Sequence, residues 1–215
     1  MDELELLKSK WQEREQNLPS LSYNDIYKML LKKSSSIVKW IFYISIAEII
    51  FWTLLAFLVP DSNNQFIEGM GLKTIFVVVN IINYTVFAIF IFLFYKNHKA
   101  IQITDSAKEL MANILKTRKT VKYLIFYNVG TAIVTIIAMN IFYYFNQETL
   151  IETLSEVSSV YDRMDPETVT QIFLVGQIIG GIILIGFILL FYRIIYGILL
   201  KRLYRNYKEL QKIEV

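Results

Sequence analysis

The sequence has no cysteine and one histidine, His98. Without cysteine there are no disulfides, no thiolate nucleophile and no thiolate metal site. Nothing matches a phosphate-cradling glycine loop, a zinc-site spacing or a nucleophile paired with a base. No internal repeat or low-complexity tract is visible, and no apolar run appears before residue 37, so a cleaved signal peptide is not expected. These gaps point to a non-enzymatic protein with no cofactor and no bound metal.

What the chain has is apolar length. Its 215 residues are 55% hydrophobic and 15% aromatic, with a mean hydropathy of +0.44, whereas soluble domains are usually ~45–50% apolar. Runs at 37–59, 74–95, 122–145 and 170–192 each supply the roughly 20 helical residues that a bilayer core requires. Lipid demands internally satisfied backbones, so the runs are read as helices. The fold class is all-α, a four-helix transmembrane bundle.

Charge sets the orientation. Lys and Arg number seven through Lys39, seven from Lys96 to Lys122 and six from Arg193 onward, leaving Lys73 and Arg163 for the other loops. Basic residues near span ends stay cytoplasmic. The expectation is a bacterial inner-membrane protein with both termini inside. Tyrosines and a tryptophan at the span ends, Trp40, Tyr43, Tyr95, Tyr123, Tyr127, Tyr143, Tyr144, Tyr192 and Tyr196, read as an interfacial belt.

The helices overrun the bilayer on the cytoplasmic side. "SYND" at 22–25 reads as a capping box opening a helix that continues to Val59; Asp105 or Ser106 caps one running to about Phe145; "DPET" places Asp165 as cap and Pro166 in the first turn of a helix reaching about Lys212. Stripes at helical spacing, Ile26, Met29 and Leu30, then Ala107, Leu110, Met111 and Ile114, then Leu200, Leu203, Tyr207 and Leu210, predict a packed cytoplasmic stalk. Residues 1–36 form a cytoplasmic amphipathic segment, and 37–215 form the bundle with its extensions. Within the segment, Leu4, Leu7 and Trp11 make a narrow apolar face suited to a partner protein, before a hinge at Pro19. On the other side, residues 148–161 read as an acidic amphipathic helix.

Glu48 lies inside the first apolar run. Counting ~16 Å from each cytoplasmic span end brings Asn83 and Tyr84, then Thr131 to Thr135, then Gly180 and Gly181 to its level, with Asn80 and Gln177 about a turn away. An acid in lipid is costly, so the reading is a hydrogen-bonded polar layer holding helices together, with proton or ion coupling as the alternative. Gly176, Gly180 and Gly181 in "GQIIGG" allow close helix approach, within this bundle or in a homodimer. Lys116, Arg118, Lys119 and Lys122 in "KTRKTVK" are placed against lipid headgroups rather than nucleic acid, since no stacking platform accompanies them. His98 reads as a solvated loop residue.

"MDELELLKSKWQ", "YKMLLKKSSSIVKWI" and "DSAKELMANILKTRKTVKYL" resemble a family of uncharacterised four-span membrane proteins of flavobacteria and their relatives. Automatic labels often call that family beta-carotene 15,15'-monooxygenase, which implies an iron held by several histidines. The family also resembles membrane partners of extracytoplasmic-function sigma factors, which implies an anti-sigma-like role. Three functions are therefore weighed: an adaptor binding a cytoplasmic regulatory or structural protein, a small proton- or ion-coupled transporter centred on Glu48, and a carotene oxygenase.

Overall fold

In this computed structural model, residues 22–158 and 160–213 are described. The expected Leu4, Leu7 and Trp11 face and the Pro19 hinge lie outside them. The Asp25 amide donates to Ser22 Oγ at 3.2 Å and the Ser22 amide to Asp25 Oδ2 at 3.2 Å, so the capping box closes in both directions. From it α1 runs unbroken over Tyr23–Ala56. It ends before Val59 because Pro60 drives the preceding residue out of the helical region.

A short helix, α2 (Asp61–Gly69), occupies what the sequence suggested was loop. Gly71, with φ at 68°, then turns the chain into α3 (Lys73–Gln102), and that left-handed backbone favours glycine. Ser106, not Asp105, caps α4 (Ala107–Phe145), its hydroxyl accepting the Glu109 amide at 3.3 Å. The outer helix α5 (Gln147–Val157) follows, shorter than the expected 148–161, and leads to a 3-10 turn at Tyr161–Arg163. Asp165 Oδ2 accepts the Thr168 amide at 3.2 Å where α6 (Pro166–Ile213) begins. The 48 residues of α6 make a rod of ~70 Å.

The four long helices form an up-down-up-down bundle. Helix α1 packs between α3 and α6, and α4 closes the ring from the opposite corner. Three cores stack along it. The stalk core buries Leu30, Val38, Ile101, Ala107, Leu110, Ile114, Leu203 and Leu210, with Ile26, Met111 and Tyr207 packed against it; of the predicted stripes Met29 is 47% exposed and Leu200 packs on the middle core instead. The middle core joins Ile41, Phe94, Val121 and Leu124 to Tyr192 and Tyr196. The outer core packs α2 and α5 over the bundle end, through Met70, Leu72, Tyr143, Leu150, Leu154 and Val169.

The outside of the bundle is apolar over the middle and outer cores. Val77, Ile81, Ile82 and Phe92 on α3, Phe126, Val134 and Ile137 on α4, and Ile179, Ile182, Ile183 and Phe187 on α6 are all exposed. A surface this apolar is incompatible with water on all sides. Four helices are long and apolar enough to cross a membrane, as expected of a multi-pass membrane protein. Among the described residues there is no strand.

Candidate functional site

Glu48 is 4% exposed, on the α1 face that also buries Ser45. Ser45 does not reach it, because its hydroxyl donates to the Phe42 carbonyl of its own helix at 2.7 Å. The partners come from α6. The Tyr192 hydroxyl donates to Glu48 Oε1 and the Tyr196 hydroxyl to Oε2, the latter at 3.1 Å. Four residues apart, the two tyrosines share one helix face, and their rings lie 5.6 Å apart. Asn128 on α4 donates its amide to the Tyr192 oxygen, so one chain of donors runs from α4 through α6 to α1. Three helices are thereby tied at one level.

The expected polar layer is not assembled around Glu48. Asn80 donates to the Phe76 carbonyl of its own helix at 2.9 Å. Asn83 accepts from Tyr127 at 2.7 Å, and Tyr84 pairs with Thr53 at 3.1 Å. Gln177 accepts from Asn140 at 3.2 Å. Thr131 makes no side-chain hydrogen bond among the described residues. Asn80, Asn83 and Tyr84 instead line a separate cavity of about 160 Å³ with Trp52, between α1 and α3. The cause is stagger. Arg193 marked the expected span end, but it is exposed on the outer face of α6 and the apolar run resumes through Leu200. The level of Glu48 therefore falls at Tyr192, not at Gly180 and Gly181.

The belt splits accordingly. Trp40, Tyr43, Tyr95, Tyr123 and Tyr144 are exposed, whereas Tyr143, Tyr192 and Tyr196 are buried and face inward. Their spacing carried the signal: Tyr192 and Tyr196 flank Arg193 on a different face of the helix.

The glycines divide too. A methyl group built on Gly181 would lie 2.7 Å from the Ile136 side chain, so α4 and α6 approach closely there. Gly176 and Gly180 meet nothing within 4 Å and are exposed, so packing inside this bundle does not use them. Lys116, Lys119 and Lys122 are exposed, but Arg118 turns inward and lies 4.2 Å over the Tyr204 ring. It braces α4 against α6 rather than reaching lipid. His98 belongs to α3 rather than to a loop and is half-buried. It is the one histidine of the chain, and no group of three His, Cys, Asp or Glu gathers among the described residues, so the donor set of a histidine-held iron is not assembled.

Two further buried pairs went unread in the sequence. Asn97 donates to Thr120 Oγ1 at 3.2 Å, joining α3 to α4, and Asn206 donates to Ser34 Oγ at 3.1 Å, joining α6 to α1. Each lies on the stalk side of Glu48. The site as a whole is a set of interhelical clamps, with a void of only about 20 Å³ beside Glu48.

No curated protein and no solved structure shows a significant match to the chain. The family described as "Domain of unknown function (DUF8845)" matches residues 24–215, and the chain belongs to that family.

Proposed function

We propose that the protein is a non-enzymatic, multi-pass adaptor of the bacterial inner membrane, with both termini in the cytoplasm, whose stalk docks a cytoplasmic regulatory or structural protein. The supporting observation is the stalk itself: α1, α3, α4 and α6 continue past the apolar belt and fold around a core of their own. The basic clusters belong to this end, which argues for the cytoplasmic side. The sequence resemblance to a four-span flavobacterial family, and that family's own resemblance to membrane partners of sigma factors, would imply an anti-sigma-like signalling role in such a membrane. The Leu4, Leu7 and Trp11 face would add to the docking surface.

Photo-crosslinking in native membranes tests this reading. A crosslinker at Met29 or Leu115, both exposed on the stalk, should give one reproducible protein adduct that Trp11→Ala reduces. A crosslinker at Val160 should not. Adducts to lipid and chaperones alone would refute the adaptor.

The Asn128, Tyr192 and Glu48 chain favours a second reading, a proton- or ion-coupled transporter. Flux in proteoliposomes that Glu48→Gln abolishes, in a protein that still folds, would select it. A homodimer through the exposed Gly176 and Gly180 face is compatible with either.

A further inference from the structure

Lys32 and Lys33 on α1 face Arg202 and Arg205 on α6 across a groove of about 590 Å³ that Ser36, Ile37 and Asn206 complete. Its lining has four cations and no acid. The floor is fixed, since Asn206 is 3% exposed and held by Ser34. Glu209 reaches Arg205 at 3.9 Å, but Arg205 is exposed and Glu209 only half-buried, and such a pair is weak. Among the described residues Lys32, Lys33 and Arg202 have no carboxylate partner.

Position tells which anion belongs there. Trp40 is 60% exposed, and Ser36 stands one helical turn beyond it. Ile198 is the last large aliphatic side chain exposed on α6, and Arg202 follows after four residues, ~6 Å. The headgroup layer on each side of a bilayer has a similar thickness. Long cationic side chains can therefore meet phosphates at that depth while Ile37 lies toward the acyl side. Basic pockets between spans at such a boundary suit anionic lipids.

We propose that this groove binds the headgroup phosphate of an anionic glycerophospholipid. Arg202 and Arg205 offer planar forks to the phosphate oxygens, Lys32 and Lys33 add charge, and Ser36 offers a hydroxyl to the glycerol. The site is separate from the Lys116 to Lys122 run. It requires the spans to lie in a bilayer and is independent of any protein partner.

The test uses the full chain, delipidated in detergent, with native mass spectrometry after addition of phosphatidylglycerol, phosphatidylcholine or inorganic phosphate. Phosphatidylglycerol should bind in preference to phosphatidylcholine. Arg202→Gln with Arg205→Gln should weaken it by roughly fivefold per removed cation, about 25-fold for the pair. Lys116→Gln with Lys119→Gln should change it little. Should the arginine pair fail to fold, Lys32→Gln with Lys33→Gln gives the same reading. Unchanged affinity in the groove variants, an equal loss in the Lys116 and Lys119 control, or inorganic phosphate binding as well as the lipid would each overturn the assignment.

Discussion

Replacing Glu48 by leucine removes the acceptor for two phenols at once. Tyr192 keeps its bond from Asn128, but Tyr196 is 0% exposed and loses the acceptor of its hydroxyl. Hydrogen bonds between membrane helices average about 0.6 kcal/mol and reach about 1.7. Two such bonds put the cost of Glu48→Leu at ~1–3 kcal/mol. Tyr196→Phe breaks one of the same bonds and should cost ~0.5–1.5 kcal/mol. The informative variant is the double. With donor and acceptor both gone, nothing polar is stranded at that position, so its cost should fall short of the sum by about 1 kcal/mol. Equilibrium unfolding of the full chain in mixed micelles measures all four corners of the cycle. Additivity within ~0.3 kcal/mol would refute the clamp.

Gly181→Val drives a side chain into Ile136 and should destabilise by ~1–3 kcal/mol, whereas Gly180→Val should leave monomer stability unchanged in the same unfolding assay. Leu110→Ala in the stalk core, where Leu110 is 0% exposed, should cost ~2–5 kcal/mol and raise protease sensitivity at the stalk before the spans. Reporter fusions after Gln65 and Glu156 should report outside, and fusions after Gln102 and Val215 inside; one inverted reporter would refute the proposed orientation.

Local signals were the legible ones. Ser22, Ser106 and Asp165 cap helices because a side-chain oxygen three residues from an unpaired amide needs no tertiary context. Apolar length revealed the four long helices, and 3.6-residue spacing revealed Leu110, Ile114, Leu203 and Leu210 as core. The polar contacts of Glu48 were not legible, since they depend on how far α6 slides along α1. No spacing within one helix encodes that offset. A charge on the outer face, Arg193, mimicked a span end. Gly180 and Gly181 differ by one position, about 100° around a helix, and only the neighbouring α4 decides which is covered. Helix α2 is not legible in the sequence, because "DSNNQFIEG" carries too few apolar residues for a helical period to stand out.

Helices α4 and α6 each pass through all three cores without a break. Such a member behaves as a lever. A tilt of α6 by about 5° around its midpoint would carry each end ~3 Å in opposite directions. Val169 and Phe173, under the outer cap, sit on one arm, and Leu203 and Leu210 sit on the other. The Glu48 clamp grips α6 between the arms, where a fulcrum would stand. If α6 moves as one rod, displacement of the outer cap and displacement of the stalk are one coordinate, and a load on one end of the bundle is felt at the other.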